Sequence, residues 1–273
     1  MDKEVKAESK CQELLQILRG LGSVAIAYSG GVDSTFLVSA AREVLGENVV
    51  AVTARSETYS EEEGAEAACN AAAIGVEHII IETSELGIPG FSDNPPDRCY
   101  HCKHELFIRV FQAAKERGLK HVLDGSNADD VDDFRPGMRA AAEMGVRQPL
   151  REAGLTKNDI RALSKKRGLP TWSKPAMACL ASRFPYGEKI TREKLSRVAE
   201  AERFVRDLGF HDVRVRSHGT IARIEIGSEQ LTRVMEPDVR NQITAKLSAL
   251  GFTYVTLDLQ GFRSGSMNEV LDM

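Results

Sequence analysis

One stretch constrains this chain more than any other. Ser23-Val-Ala-Ile-Ala-Tyr28 runs directly into Ser29-Gly30-Gly31-Val32-Asp33-Ser34, and that into an amphipathic pattern over Asp33 to Leu45. A buried strand, a glycine turn and a helix start are therefore fused. Two glycines let backbone approach a phosphate closely, and successive N–H groups form an anion nest. The helix N-terminus adds unsatisfied donors and partial positive charge. The hydroxyls of Ser29, Ser34 and Thr35 supply further hydrogen bonds. The usual phosphate-loop lysine is absent, because Val-Asp-Ser follows the glycines. Asp33 is thus expected to face phosphates through a Mg2+ ion, since a bare carboxylate would repel them. The alternative is a turn that caps a helix and binds nothing, which the strand–loop–helix setting disfavours.

The same alternation continues. Strands are expected at Asn48 to Ala54, His78 to Glu82 and His121 to Asp124. Helices are expected at Gln12 to Leu21, Glu61 to Ile74, Lys103 to Arg117 and Thr156 to Arg167. Strands separated by helices of this length predict an α/β fold, an open parallel sheet with helices on both faces. Beyond the proline-rich run Gly168 to Gly187 the pattern changes. Thr191 to Leu208 and Pro237 to Leu250 read as helices, and Asp212 to Ser217, Ile221 to Ile226 and Thr253 to Leu259 as strands. The expected organisation is a nucleotide domain over 1–170, a connecting segment over 171–187 and a small α+β domain over 188–273.

Ligands bind at the carboxyl ends of strands in such sheets. Asp124-Gly-Ser-Asn-Ala-Asp-Asp130 ends the fourth strand. Asp129 and Asp130 are placed to share the Mg2+, against a solvated turn as the plainer reading; Asp132 and Asp133 follow, and four carboxylates are too many for one ion. The five cysteines are an odd number, which does not read as a disulfide framework. Cys11 and Cys69 lie in helical stretches and are expected to be buried. Cys99 and Cys102 form a CxxC in Asp97-Arg-Cys-Tyr-His-Cys-Lys-His104, and Cys179 lies in Ala178-Cys-Leu-Ala-Ser-Arg-Phe-Pro-Tyr-Gly187. By themselves they suit a redox pair, a zinc site completed by His101 or His104, or an iron–sulfur site.

Several blocks carry a resemblance. The SGGVDS loop resembles that of the PP-loop ATP pyrophosphatases, which cleave ATP between the α and β phosphates. The runs Phe134–Gly137 and Ala178–Gly187, Val213–Glu225 and Thr256–Gly265 resemble the LarE family, so the match spans both domains. The resemblance implies ATP-dependent adenylation of pyridinium-3,5-biscarboxylic acid mononucleotide and replacement of AMP by sulfur, in the making of a nickel-pincer nucleotide. It implies two sulfur sources: one cysteine that gives up its sulfur, here Cys179, or a 4Fe-4S cluster held by three cysteines with sulfide on the open iron. Because the CxxC is present, Cys99, Cys102 and Cys179 are assigned to the cluster type. The resemblance also implies a homo-oligomer, and sulfide or another sulfur donor as a partner.

Arg214 and Arg216 lie two apart on a strand and share a face, and Arg263 follows in Gly261-Phe-Arg-Ser-Gly265. Guanidinium forks suit a phosphate, which the resemblance identifies as that of the mononucleotide; the plainer reading pairs them with carboxylates such as Glu225. Ser182 and Arg183 are candidates for the pyridinium carboxylate or the adenylate.

Charge bears on the competitors. The net charge is -4, and from Glu188 onward 13 Lys+Arg match 13 Asp+Glu. That argues against nucleic acid held by bulk charge, and so against a PP-loop tRNA thiolase. An ammonia-using amide ligase would need no cysteine, and a non-catalytic module would release no AMP. No apolar run is long enough for a membrane helix and no signal peptide is visible, so a cytoplasmic location is expected.

Overall fold

The computed structural model describes residues 2–59, 61–131, 136–175, 178–263, 266–267 and 269–270. The chain divides into two units, Met1–Ile88 with Asp97–Met177, and Pro89–Pro96 with Ala178–Met273. Asp132, Asp133, Phe134 and Arg135, and Ser264 and Gly265, which the sequence motifs include, lie outside the described residues.

The first unit runs α1 (Asp2–Leu21), β1 (Val24–Ala27), α2 (Val32–Leu45), β2 (Val49–Arg55), α3 (Glu61–Ile74), β3 (Glu77–Glu82), α4 (Arg98–Glu116), β4 (His121–Leu123), α5 (Pro136–Glu143), α6 (Pro149–Glu152) and α7 (Lys157–Lys166). Its sheet has the order β3-β2-β1-β4 and every pairing is parallel. β1 is buried along its whole length, which is why it reads as an unbroken apolar run. Val24 and Ile26 join a core with Leu14, Leu18, Phe36 and Leu37 on one face. Ala25 and Ala27 join Phe107, Val110 and Ala141 on the other. Burying each large side chain contributes about 1.5–3 kcal/mol, so both faces are closed by helices.

This is the expected doubly covered parallel sheet. Details differ from the sequence reading. α1 starts at Asp2 rather than Gln12, because Ala7 and Cys11 extend the buried stripe of Leu14 and Leu18 at helical spacing. α4 starts at Arg98 rather than Lys103, so Cys99 and Cys102 lie at its N-terminal end. Cys11 is buried as expected, but Cys69 is exposed. The buried face of α3 is made by Ala67, Asn70 and Ala71, and Cys69 points away from it.

β1 connects to β2 on one side and pairs with β4 on the other, so the strand order reverses beside β1. The loops after β1 and β4 meet at this switch point, where open α/β sheets bind ligands. They touch: a Cβ at Gly125 would lie 3.2 Å from the Ser34 backbone N and Cα. The approach therefore favours glycine.

The second unit contains a 3-10 turn at Leu180–Arg183, then α8 (Arg192–Asp207), β5 (Arg214–His218), β6 (Ile221–Glu225), α9 (Leu231–Val234), α10 (Pro237–Ala249) and β7 (Tyr254–Leu257). β5 and β6 form an antiparallel hairpin and β7 pairs parallel to β6. Residues 89–96 belong here because Asn94 Nδ2 donates to the carbonyls of Phe184 (3.2 Å) and Pro185 (2.7 Å), while Gly187 N donates to Asn94 O (2.9 Å). Among the described residues no helix is long and apolar enough to cross a membrane.

Candidate active site

The phosphate loop is built by local chemistry. Gly31 is the N-cap of α2, and Gly30 takes φ 70°, a value L side chains rarely adopt. A Cβ at Gly30 would also lie 2.7 Å from that of Ala67 on α3. Gly30→Ala is therefore expected to cost about 1–3 kcal/mol of stability and to weaken ATP binding with it. Denaturant melts and ATP titration check this; unchanged values for both would refute the account of the turn. Ser29 Oγ and Ser34 Oγ lie 3.1 Å apart, and Gly31 N donates to Ser29 Oγ (3.4 Å). These hydroxyls and N–H groups form one cluster at the α2 N-terminus. Thr35 does not join it: it is fully buried, with its hydroxyl 3.5 Å from Tyr28 Oη.

Three lysines converge on this end of the sheet, none of them singled out in the sequence. Lys157 Nζ pairs with Asp33 Oδ2 at 2.5 Å. Lys174 Nζ donates to Gly30 O (3.3 Å) and pairs with Glu66 (2.7 Å). Lys103 Nζ pairs with Asp124 Oδ1 at 3.2 Å. Burial works against the Lys103 charge, but the Asp124 carboxylate outweighs it and holds the ammonium above the usual lysine range. Tyr59 Oη donates to Ser29 O (3.0 Å) and closes the loop from the α3 side.

Burial raises the Asp33 carboxyl above the usual range; Lys157 and the nearby Asn127 amide pull it back, and Asp130 adds to the rise. Oδ1 of Asp33 is buried and makes no hydrogen bond of good geometry. A buried carboxylate oxygen with no well-placed donor suits a cation arriving with phosphates. Asp33 therefore fits a Mg2+ ligand. Asp129 and Asp130 each also hold backbone: Asp129 Oδ2 accepts from Lys157 N (2.8 Å) at the start of α7, and Asp130 Oδ2 accepts from Asn127 N (2.8 Å). A capping box of Thr156 and Asp159 sets where α7 begins, and so where Lys157 points.

Among the described residues, no group of three or more His, Cys, Asp or Glu side chains is gathered as a metal site. Cys99 and Cys102 lie three residues apart at the start of α4, so both thiols share a helix face. This suits two ligands of a cluster. Cys102 Sγ donates to Glu85 Oε1 (2.9 Å), and Glu85 also accepts from Ser56 (3.0 Å) and Thr58. Cys179 belongs to the second unit, where it is exposed and outside any disulfide.

In the second unit the arginines are buried among carboxylates. Arg183 makes a bidentate pair with Glu202, Nε at 2.7 Å and Nη2 at 3.0 Å, and Arg206 pairs with the same carboxylate at 2.6 Å. Arg216 makes a bidentate pair with Glu225 at 3.0 and 2.9 Å, so the plainer pairing describes its resting partner. Arg263 lies 3.2 Å from Glu269. Ser182 Oγ accepts from Arg183 Nη1 (2.9 Å). Arg214 stands 5.0 Å over the Phe262 ring and donates to Val213 O. Its pKa is pushed down to about 10, first by burial and then by Arg183, Arg216 and Arg206 nearby, with Glu202 opposing. Arg183, Arg206, Arg214, Arg216 and Arg223 face Glu202, Glu225 and Asp258, so guanidinium groups are in excess over carboxylates here.

Comparison with known proteins agrees with this architecture. The family model described as asparagine synthase matches residues 16–208. An uncharacterised protein of Synechocystis sp. is 46% identical over 97% of this chain and 98% of its own length. The pyridinium-3,5-bisthiocarboxylic acid mononucleotide synthase of Lactiplantibacillus plantarum is 40% identical over 96% of this chain and 95% of its own. An argininosuccinate synthase of Natronomonas pharaonis is 30% identical over 54% of this chain and 39% of its own.

Proposed function

The chain belongs to the LarE family of PP-loop ATP-dependent sulfurtransferases, and on that footing we propose that it converts pyridinium-3,5-biscarboxylic acid mononucleotide to its thiocarboxylates with ATP. The observation that carries the reading is the Asp33–Lys157 pair beside the serine and glycine cluster, an anion cradle with one buried carboxylate oxygen left over.

The first unit performs adenylation. N–H groups of the Ser29–Ser34 loop and the α2 N-terminus bind the β and γ phosphates of ATP. Lys157 and Lys174 supply the positive charge that the loop sequence lacks. A substrate carboxylate oxygen attacks the α phosphorus, the bond to the bridging oxygen breaks, and pyrophosphate leaves as an anion stabilised by these groups. Mg2+ held by Asp33, with Asp129 and Asp130 as further candidate ligands, would neutralise the phosphate charge when bound. The second unit contributes recognition: Arg214, with Arg263, binds the phosphate of the mononucleotide. Support comes from the excess of guanidinium over carboxylate groups there.

Sulfur then replaces AMP at the acyl carbon, and the C–O bond to AMP breaks as the C–S bond forms. The sulfur is handled at Cys99, Cys102 and Cys179. A 4Fe-4S cluster on these thiolates would supply an open iron for hydrosulfide. The paired thiols on α4 support this source, and the second reading is donation by Cys179 alone. A homo-oligomer and a cytoplasmic location complete the proposal.

The test is anaerobic reconstitution followed by turnover with ATP, Mg2+, sulfide and the pyridinium biscarboxylate nucleotide. The expected result is about four irons per chain, lost in each of Cys99→Ala, Cys102→Ala and Cys179→Ala, together with AMP and thiocarboxylate. Thiocarboxylate formed without iron, with Cys179 converted to dehydroalanine, would replace the cluster by sacrificial donation. No AMP in the presence of that substrate would sink the whole assignment.

A further inference from the structure

Two buried arginines of the second unit spend their donors on one short stretch of backbone. Arg183 is 2% exposed, and its Nη1 donates to Ala178 O (2.8 Å), Cys179 O (3.2 Å) and Ser182 Oγ (2.9 Å). Its other two nitrogens are fixed on Glu202. Arg216 is 5% exposed, and its Nη1 donates to Ser182 O (2.8 Å) while Nε and Nη2 are fixed on Glu225 and Ser266. The pinned carbonyls bracket Cys179, which caps the 3-10 turn Leu180–Arg183 and stays exposed. Glu202 in turn accepts from Val215 N on β5 (3.0 Å), so the clamp is anchored to the sheet.

We propose that Arg183 and Arg216 are positioning residues for Cys179: each is locked by a buried glutamate, and together they hold the backbone of the cysteine turn so that the thiol is presented in one geometry. The carboxylate-binding edge of each guanidinium is already committed, to Glu202 or to Glu225. The inference rests on the reading that Cys179 handles sulfur. Its physical basis is independent of that chemistry. At its two ends the turn is closed by Ser182 N to Cys179 O (2.9 Å) and Phe184 N to Ala181 O (3.4 Å), and a single short turn leaves end carbonyls that its own N–H groups do not reach. External donors must supply the rest of its order. Guanidinium suits the task because its rigid planar fork grips both carboxylate oxygens while its remaining nitrogen points at the carbonyls, a fixed geometry that an ammonium on a flexible stem does not impose. The consequence is a division of labour. Adenylation does not need a fixed Cys179, whereas capture of the acyl adenylate by sulfur does, and a misplacement of about 1 Å can cost about a hundredfold.

The test uses Arg183→Lys and Arg216→Lys in the full chain, with two readouts. Hydrogen exchange over 178–184 should speed up in both variants while α8 and β5 keep their protection. In turnover with ATP and the pyridinium biscarboxylate nucleotide, AMP should form at close to the native rate. Thiocarboxylate per AMP should fall about tenfold or more, the rest of the adenylate being lost to water. A raised KM with an unchanged thiocarboxylate-to-AMP ratio would make the arginines substrate ligands and overturn the proposal. Equal loss of both products with exchange raised throughout the unit would make them merely structural and overturn it too. If one variant fails to fold, the other decides. Cys179→Ala is run alongside: thiocarboxylate formed at the native rate there would remove the sulfur role of Cys179, while the exchange data would still judge the clamp.

Discussion

A Glu202→Ala chain is expected to lose about 3–5 kcal/mol of stability in the second unit, the range found when one member of a buried ion pair is removed. Glu202 is fully buried on α8 and serves four donors: Arg183 Nε and Nη2, Arg206 Nη2 and Val215 N. Truncation leaves a buried guanidinium at Arg183 with no counter-charge and an unpaired N–H on β5. Exposed pairs of the same kind, such as Lys166 with Glu8, are worth far less, with a median near ~0–1 kcal/mol. Glu202→Gln keeps the volume but not the function, since its amide NH2 would face a guanidinium donor. The pH dependence follows. Burial alone would raise the Glu202 carboxyl, but Arg183, Arg206 and Arg214 overcome it and hold the pKa below the ordinary 4.5. The stabilisation is complete above pH 4.5 and is lost as pH falls through the depressed folded value. Urea melts of native and Glu202→Gln chains at about pH 7 and about pH 4 should therefore converge toward low pH. A loss below about 1 kcal/mol at neutral pH would show that the network is not what holds this unit.

The parts of the molecule that sequence made legible are those whose causes are local. The strand–glycine–helix junction at Tyr28–Ser34 needs only neighbouring residues, so its place and its chemistry could be read together. Burial of Cys11 follows from helical spacing, whereas exposure of Cys69 depended on which alanines of α3 face the sheet. α4 starts ahead of the apolar pattern because the CxxC turn is polar and lacks the apolar periodicity that marks the rest of the helix.

What stayed hidden is the pairing of distant charges. A phosphate loop without its lysine looked incomplete, yet Lys157 and Lys174 reach it from far along the chain. The Thr156–Asp159 capping signal located the start of α7 but not the direction of Lys157. Asp129 and Asp130 read as metal ligands because clustered carboxylates at a strand end suit a cation; each also accepts a backbone N–H, a use that residue type alone cannot reveal. Arg216 rests on Glu225, the partner that the plainer reading of the sequence named, whereas the buried Arg183–Glu202 pair joins residues that no pattern along the chain links. Segment 89–96 joins the second unit through Asn94, a contact no pattern along the chain announces.

Changing Asp33 to Ala is expected to lower AMP formation by about 10²–10³-fold or more, the scale on which single preorganised electrostatic partners of a transition state act. Asp33 stands in the first turn of α2, its Oδ2 on Lys157 and its Oδ1 buried without a well-formed partner. Removing the side chain deletes the proposed cation ligand and frees the Lys157 ammonium at once. The second effect separates binding from chemistry. Lys157 released from Asp33 remains a cation beside the phosphates, so ATP affinity should change by less than about tenfold, while the rate of pyrophosphate release collapses. Lys157→Ala should behave oppositely in binding. It leaves Asp33 uncompensated next to incoming phosphates, so ATP affinity should fall and added Mg2+ should recover part of it. The Asp33→Ala and Lys157→Ala double variant should lose less than the sum of the two single losses, because the residues act on each other. Strictly additive losses would mean that the ion pair is incidental, and AMP release at the native rate in Asp33→Ala would move the nucleotide away from the α2 N-terminus altogether.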